Sequence, residues 1–537
     1  MTSRFTSYIA LVGVIVYTFM ANGQNRQLAP LLHEVSHPLQ NILDTIGTDF
    51  HPTVQPYLER DVNKADWFRK TFETDYFTDK FIFQLKLNKK SEKTPIKLSA
   101  LPIGQISGGF EGGSSRTFLQ TGIGVNLSAM VGSKLDVNIN ILSSNSSFPL
   151  YVENYIFNNK IVPGQGWANP SDLGYFYNNS TGYVSYSPGK YFNVTVGYGK
   201  NFWGEGYRSM MLSDAAYNYG YLRLTTNIWK IQYTNLFTSF RDIYNRSDAP
   251  GQFNNKYGSF HYLSLNLTKR WNIGLFEGII WQGSDSLINR GFDIQYLNPI
   301  IFLRPVEYSI GSADNALLGM TMSYRIIKGI KAYGQFILDE FLLREIRNNN
   351  GWWGNKFATQ LGLKYYNAFN IERLTLLTEW NLSRPYMYSH DNPVQAYGHW
   401  NEPLAHPSGA NFNEYIIAGN YYINHFVFQL RYNYLDQGID RVFNNVDGET
   451  EVLNYGSNIF RSNDTRVNDF NNTIGQGINR QMHTTFLKAS WLVSTKANLW
   501  LEASFTWRYE NVDSSENNLF FPTIGIRTGL YNQYWDF

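Results

Sequence analysis

The stretch Leu499-Trp500-Leu501-Glu502-Ala503-Ser504-Phe505-Thr506-Trp507-Arg508-Tyr509 sets Leu499, Leu501, Ala503, Phe505, Trp507 and Tyr509 against Trp500, Glu502, Ser504, Thr506 and Arg508. Side chains alternate across an extended chain, so this pattern predicts a strand with one apolar and one more polar face. Leu135 to Ile141 repeats it, with Leu135, Val137, Ile139 and Ile141 against Asp136, Asn138 and Asn140, and Phe426 to Tyr434 repeats it on even positions. A soluble sandwich also alternates, but its strands are typically shorter and less aromatic.

Composition narrows the choice. The 537 residues include 38 Tyr, 37 Phe and 14 Trp, so 17% are aromatic while only 16% are charged, against roughly 25% charged in soluble proteins. Mean hydropathy is nevertheless −0.33, and beyond the N-terminus no run of about 18 apolar residues exists to span a bilayer as a helix. That excludes a helical membrane protein. A transmembrane β-barrel satisfies both facts, because every second residue faces lipid and the rest face a polar lumen.

Connections in such barrels alternate between short periplasmic turns and long extracellular loops. Short turns read at Gly132-Ser133-Lys134, Pro188-Gly189-Lys190, Asn227 to Lys230, Lys269 to Asn272, Lys328-Gly329, Asn367 to Asn370, Asn424-His425 and Thr495 to Asn498. Longer polar connections read near 111 to 117, 145 to 174, 201 to 218, 241 to 257, 283 to 313, 343 to 354, 386 to 412, 438 to 480 and 511 to 518. The tally predicts an all-β, antiparallel barrel of about 18 strands, range roughly 16 to 20. It begins near Lys97, leaving residues 24–96 as a mostly non-barrel segment, periplasmic or lumen-facing, with helical fragments such as Leu31 to Leu43. The alternating run Phe81, Phe83, Leu85 and Leu87 is left outside the barrel, since including it makes the count odd. Phe148 to Ile161 reads as a short helix within the second loop, placed to narrow the pore.

The chain's last residues, Gly529-Leu530-Tyr531-Asn532-Gln533-Tyr534-Trp535-Asp536-Phe537, are expected to form the strand that closes the barrel against the first. Tyr531, Trp535 and Phe537 then share one face, and an aromatic terminus of this kind resembles the signal read by the barrel assembly machinery. Both termini of the barrel are expected on the periplasmic side. Residues 1–23 read as a cleaved signal peptide: Arg4, then an apolar core from Ile9 to Met20, then Ala21-Asn22-Gly23. A membrane anchor is the competing reading, disfavoured by the shortness of that core. There are 0 cysteines, which excludes disulfides, thiol catalysis, cysteine-zinc sites and a lipid-modified N-terminal cysteine. With 45 basic and 43 acidic residues the net charge of +2 names no partner and gives no sign of nucleic acid.

Two segments are dense enough in polar and aromatic groups to bind a ligand. In the first, Asn201, Trp203, Glu205, Arg208 and Asp214 offer donors and acceptors, or pair with one another within a polar lumen. In the second, His399, Trp400, Asn401, Glu402 and His406 combine rings with amide and carboxylate groups, an arrangement suited to sugars, whose apolar faces stack on rings while hydroxyls take hydrogen bonds. A solvated loop is the competing reading of the second. His390, His399 and His406 match no compact metal motif, so no metal and no cofactor is assigned. The glycines at 104, 108, 109, 112 and 113 precede no Lys-Ser/Thr pair and no strand-to-helix switch, and read as easing a curved strand into a tight loop. Without a Gly-x-Ser-x-Gly elbow, a His-Glu-x-x-His or a convincing carboxylate pair, no catalytic residue is assigned and an enzyme is not expected.

The run Gly199 to Asp214, the loop Leu404-Ala405-His406-Pro407-Ser408-Gly409-Ala410-Asn411-Phe412 and the ending Gly525-Ile526-Arg527-Thr528-Gly529-Leu530-Tyr531 to Phe537 resemble the Wzi-like capsule assembly barrels. More closely they resemble a Bacteroidetes branch that includes gliding-motility-associated proteins of the RemB type. The similarity covers most of the chain after about residue 75. It implies an 18-stranded outer-membrane barrel with an occluded pore, in contact with outer-membrane lipids, acting as a surface lectin that organises exported polysaccharide. Motility or secretion proteins are the further partners it implies. No individual sugar-binding residue of the family maps onto a position here, and a porin or transport channel is the rival from another class.

Overall fold

A sheet whose strands each carry one lipid-compatible face must still satisfy its edge backbone groups, and in a bilayer it does so by closing on itself. Eighteen antiparallel strands do so here. The computed structural model describes residues 28–29, 31–45, 50–58, 85–90, 95–114, 116–243, 253–284, 290–302, 314–444, 449–494 and 497–537. The expected signal peptide at 1–23 and the residues Phe81 and Phe83 lie outside the described residues.

The wall consists of β1 (Pro95–Phe110), β2 (Thr117–Val131), β3 (Leu135–Ser146), β4 (Thr181–Tyr186), β5 (Phe192–Gly199), β6 (Tyr219–Ile228), β7 (Ile231–Asp242), β8 (Asn254–Asn266) and β9 (Trp271–Gln282). It continues through β10 (Asn315–Ile327), β11 (Ile330–Leu338), β12 (Phe357–Tyr366), β13 (Leu374–Ser383), β14 (Phe412–Ile423), β15 (Phe426–Ile439), β16 (Ile478–Ser494), β17 (Leu499–Val512) and β18 (Ser515–Thr528). Each strand pairs with the next in the chain, and β18 returns to β1 through Arg527↔Gln105 to Thr523↔Gly109. The predicted faces hold: Leu501 and Phe505 point out and are exposed, while Trp500, Thr506 and Arg508 point in and are buried. The short-turn rim carries exposed Phe192, Trp229, Trp271, Phe369 and Phe426, an aromatic girdle of the kind found where a barrel meets the membrane interface.

The closing strand is not the terminal nonapeptide. Closure is made by β18, which ends at Thr528. At Gly529, whose backbone N–H donates to the Asn498 carbonyl at 2.8 Å, the chain turns into the lumen, and residues 529–537 form no strand. Tyr531, Asn532, Tyr534 and Asp536 are buried there irrespective of parity. Their alternation therefore reflects packing on several sides and not a two-faced strand.

Two further expectations are corrected. The polar stretch 511 to 518 is not a long loop, because β17 and β18 pair as far as Val512↔Ser515 and are joined only by Asp513 and Ser514. Both have positive φ, 46° and 72°, as a two-residue hairpin requires. Leu85–Lys90 is a strand, hydrogen-bonded to Pro95 to Ala100 of β1, but not a nineteenth member of the ring. Barrel closure requires a stagger between first and last strands. Here it leaves the lower edge of β1 beyond the reach of β18, and Leu85–Lys90 covers that edge.

Two helices sit with the wall. α1 (His33–Thr45) lies within the lumen towards the short-turn side, its Val35 and Leu39 packed with the preceding Leu32 on Tyr57. α2 (Leu150–Asn159) falls within the span expected to be helical and rests on the tail through Val152, Ile156, Trp535 and Phe537. Gly104, Gly108 and Gly109 lie in β1. A Cβ on Gly109 would come within 2.3 Å of the Pro522 carbonyl oxygen, so the closing seam itself demands glycine there.

Candidate functional site

The connection between β5 and β6 descends into the lumen instead of leaving it. Phe202 and Trp203 pair with Gln55 and Val54 of the N-terminal segment, forming a two-stranded bridge inside the barrel. Trp203 is fully buried, with Phe260, Tyr262 and Phe276 around it at ring-centroid distances of 6.2, 5.8 and 5.9 Å. The hydroxyls of Tyr388 and Tyr397, from the connection between β13 and β14, donate to the Met210 and Met211 carbonyls, both at 2.7 Å. Together with Met210, Met211 and Leu404 these rings form an apolar cluster inside the lumen, packed like a protein core.

An ionic network adjoins this cluster. Arg208 Nη2 lies 3.1 Å from Glu414 and 3.1 Å from Asp536, and Arg431 reaches the same Asp536 carboxylate at 3.3 Å. Tyr207 Oη donates to Asp536 at 3.0 Å, and His406 Nε2 lies 2.7 Å from Glu414. Asp214 accepts from Asn532 Nδ2 at 2.8 Å and from Tyr534 Oη at 2.7 Å. These bonds tie the tail to the β5–β6 connection. Glu205 pairs with Lys331, and Asn201 Oδ1 accepts from Arg223 at 3.3 Å. From α1, Glu34 pairs with Lys488 at 2.5 Å, and Lys488 and Arg527 share Glu502. Between these groups and Tyr151 of α2 lies a cavity of about 150 Å³, and a second of about 100 Å³ adjoins Asn138, Tyr198 and Lys200.

Eight of the ten candidate residues are therefore buried parts of a lumen plug: Asn201, Trp203, Glu205, Arg208, Asp214, His399, Glu402 and His406. Glu402 accepts from the backbone N–H of Gly164 at 2.6 Å and of Tyr217 at 2.8 Å, and burial raises its carboxyl above the ordinary range. The other two, Trp400 and Asn401, form the tip of the hairpin Gly398–His399/Glu402–Pro403, both with positive φ (53° and 56°). That tip is only half-buried. There Trp400 meets Phe253 at 5.2 Å, Trp167 at 6.0 Å and Tyr217 at 5.8 Å between ring centroids. Three long loops thus bring Trp167, Phe253 and Trp400 together, half-exposed, at the loop-side mouth. Arg241 and Asn255, both exposed and hydrogen-bonded to each other, supply donors and acceptors beside them. Trp167 and Phe253 were missed in the sequence. Each is a lone ring in a Gly- and Asn-rich loop, between Gly166 and Asn169 or between Gly251 and Asn254, and that context was the available signal.

The three histidines do not converge. His390 contacts Asp391, His399 lies between Arg241 and Asn218, and His406 pairs with Glu414. Among the described residues no group of three His, Asp or Glu side chains is placed to hold a metal. His399 Nδ1 accepts from the Arg241 N–H at 2.9 Å and its Nε2 faces the Asn218 carbonyl at 3.1 Å, so the neutral ring satisfies both. It belongs to the plug and not to a spanning strand, and burial pushes its pKa down to about 3. Between that value and about 6.5 the unfolded chain binds the proton and the folded one does not. Stability contributed by His399 is thus present above pH 6.5 and lost as pH falls, about 2 kcal/mol of it by pH 5. The denaturant midpoint should drop between pH 7 and pH 5, and His399→Gln should flatten that dependence; an unchanged slope would contradict the assignment.

No family model matches the chain, and no curated relative matches it either. Among solved structures it is similar to Wzi of Escherichia coli, an outer-membrane protein involved in group 1 capsule assembly and a carbohydrate-binding β-barrel. The TM-score is 0.52 at 12% identity, covering 94% of this chain and 100% of Wzi. The likeness to Wzi is one of fold. OprD of Pseudomonas aeruginosa (TM-score 0.42, 10% identity, 83% of this chain and 98% of that one) and OccAB2 of Acinetobacter baumannii (0.41, 9%, 81% and 97%) are further matches.

Proposed function

We propose that this protein is an outer-membrane barrel, exported by its N-terminal signal peptide, that binds surface polysaccharide at its loop-side mouth and does not conduct solutes. One observation carries the reading: Trp167, Phe253 and Trp400 converge half-exposed from three separate loops. Rings presented in this way stack on the apolar faces of sugars, while Arg241, Asn255 and Asn401 take hydroxyls. The fold shared with Wzi supports the same reading. The plug counts against the rival porin reading. The work is binding, without bond-making chemistry. The short-turn side is periplasmic in this reading, and recognition of Tyr531, Trp535 and Phe537 by the assembly machinery precedes tucking of the tail. In the gliding context implied by the sequence resemblance, motility or secretion proteins would meet a glycan already held at the surface.

The test is binding of purified protein to an array of capsular and exopolysaccharides, paired with planar-bilayer recording. Binding with closed traces is expected. Trp167→Ala and Trp400→Ala should each weaken binding about tenfold, near the roughly 1.4 kcal/mol upper range of a ring contact, with the heat-modifiable gel shift of the folded barrel retained. Stable large openings and no glycan signal would establish the channel instead.

A further inference from the structure

Most outward-facing positions of the wall are apolar, but one row on neighbouring strands is not. Asn235 of β7, His261 of β8 and Glu277 of β9 sit side by side in register, all on the outer face, since Phe260, Tyr262 and Phe276 between them point into the lumen. His261 Nδ1 is 2.7 Å from Asn235 Oδ1 and its Nε2 is 3.2 Å from Ser259 Oγ. Such a row placed against hydrocarbon is costly. Yet Asn235, Ser259, His261 and Glu277 are all buried.

What covers them is part of the β9–β10 connection, residues 290–302, folded down the outside of the barrel. Its irregular backbone is satisfied by the polar wall: Ser259 Oγ donates to the Tyr296 carbonyl at 3.0 Å, the Phe302 N–H donates to Glu277 at 2.9 Å, and Tyr233 Oη donates to the Pro299 carbonyl. At the loop-side end Arg290 pairs with Asp293 and Asp314, both at 3.0 Å, and Tyr296 packs on Trp281 at 4.5 Å. On its far side Ile294 is 77% and Ile300 59% exposed, with Leu297 and Phe302 beside them. Tyr233 lies only two residues from the start of β7 at the short-turn rim, so the segment descends most of the wall.

We propose that residues 290–302 form a strap embedded in the hydrocarbon of the membrane, seated on the row Asn235–His261–Glu277, with lipid acyl chains as the partner of its Ile294 and Ile300 face. Irregular backbone is tolerated at membrane depth only where protein groups satisfy it, and here the polar row supplies those groups. The occupant of the outer face follows from continuity: β9, which carries Glu277, pairs through Leu275 and Ile273 with Met320 and Met322 of β10, exposed side chains of the outward-facing wall.

The chain has 0 cysteines, so single-cysteine spin labels can be placed cleanly. Full-length Ile294→Cys, Ile300→Cys, Met320→Cys as wall reference and Asp464→Cys as loop reference are labelled and reconstituted in phosphatidylcholine vesicles. Folding is checked by heat-modifiable gel mobility, and accessibility to oxygen and to a nickel chelate is measured. The strap labels should match Met320→Cys, with oxygen access several-fold above nickel access. Nickel access like that of Asp464→Cys would overturn the proposal by placing the strap in water. Labels immobilised and shielded from both reagents in native membranes would also overturn it, by giving the face to a protein partner. Glu277→Leu with His261→Leu, in the Ile300→Cys background, should release the strap and raise nickel access at residue 300; unchanged access would remove the row from its assigned role.

Discussion

Arg208→Ala should destabilise the protein by about 3–5 kcal/mol, the usual cost of leaving buried carboxylates without their cation. Arg208 is 2% exposed and bonds both Glu414 and Asp536. It also donates from Nη2 to the Asp536 backbone carbonyl at 2.9 Å, so its loss frees the tail as well as the charges. The urea midpoint of detergent-solubilised protein would fall, and carboxypeptidase would begin to remove residues from Phe537. A triple variant, Arg208→Met with Glu414→Gln and Asp536→Asn, should recover most of the loss, because what is penalised is the orphaned charge and not the missing attraction. A loss under about 1 kcal/mol for the single variant, typical of surface pairs, would show that the network is solvated and the plug loose.

Ending the chain at Thr528 should leave the wall closed and the lumen leaky. β18 keeps all its pairs with β17 and with β1, since none involves residues beyond Thr528. What disappears is the filling: Tyr531 and Tyr534, each a buried side chain contributing about 1.5–3 kcal/mol, and the partners of Asp214 and Arg208. Trp535 and Phe537 also go, and with them the packing under α2. The truncated barrel should still show a folded gel shift but give discrete single-channel openings, where closed traces are expected of the full-length protein. Silent traces with unchanged stability would mean that the β5–β6 connection and α1 occlude the lumen without help.

Strands and their facing were legible because alternation has one dominant cause in a wall with lipid on one side. Leu135 to Ile141, Phe426 to Tyr434 and Leu499 to Tyr509 all face as read. The tail misled because aromatic spacing in a plug can imitate alternation over nine residues, while Asp536, the residue that binds it to the lumen, is invisible as a partner until Arg208 is placed beside it. Residues 511 to 518 misled in the opposite way, since Asp513 and Ser514 make a tight turn without glycine and the polarity of the flanking strand ends reads as loop. The candidate residues were recognisable as a dense set. Their burial was not, because a polar side chain inside a barrel and one on its surface obey the same composition. Phe260 and Phe276, which belong to the apolar cluster inside the lumen, also carry no local mark separating them from lipid-facing rings.

The glycine-lined seam has a kinetic consequence. Adjacent strands elsewhere in the ring are hairpin partners or neighbours across a single connection, so the wall can be laid down progressively from local contacts. Only the seam joins distant chain, as with Gly104 and Thr528, which are 424 positions apart and bonded at 3.2 Å. Closing so large a loop carries the greatest entropic cost, and non-local pairing is slow. Ring closure is then the last step of assembly, and a side chain at Gly109 or Gly525, which leave no room for one, would slow that step while leaving the preceding seventeen hairpin-like pairings of the wall to form at their ordinary pace.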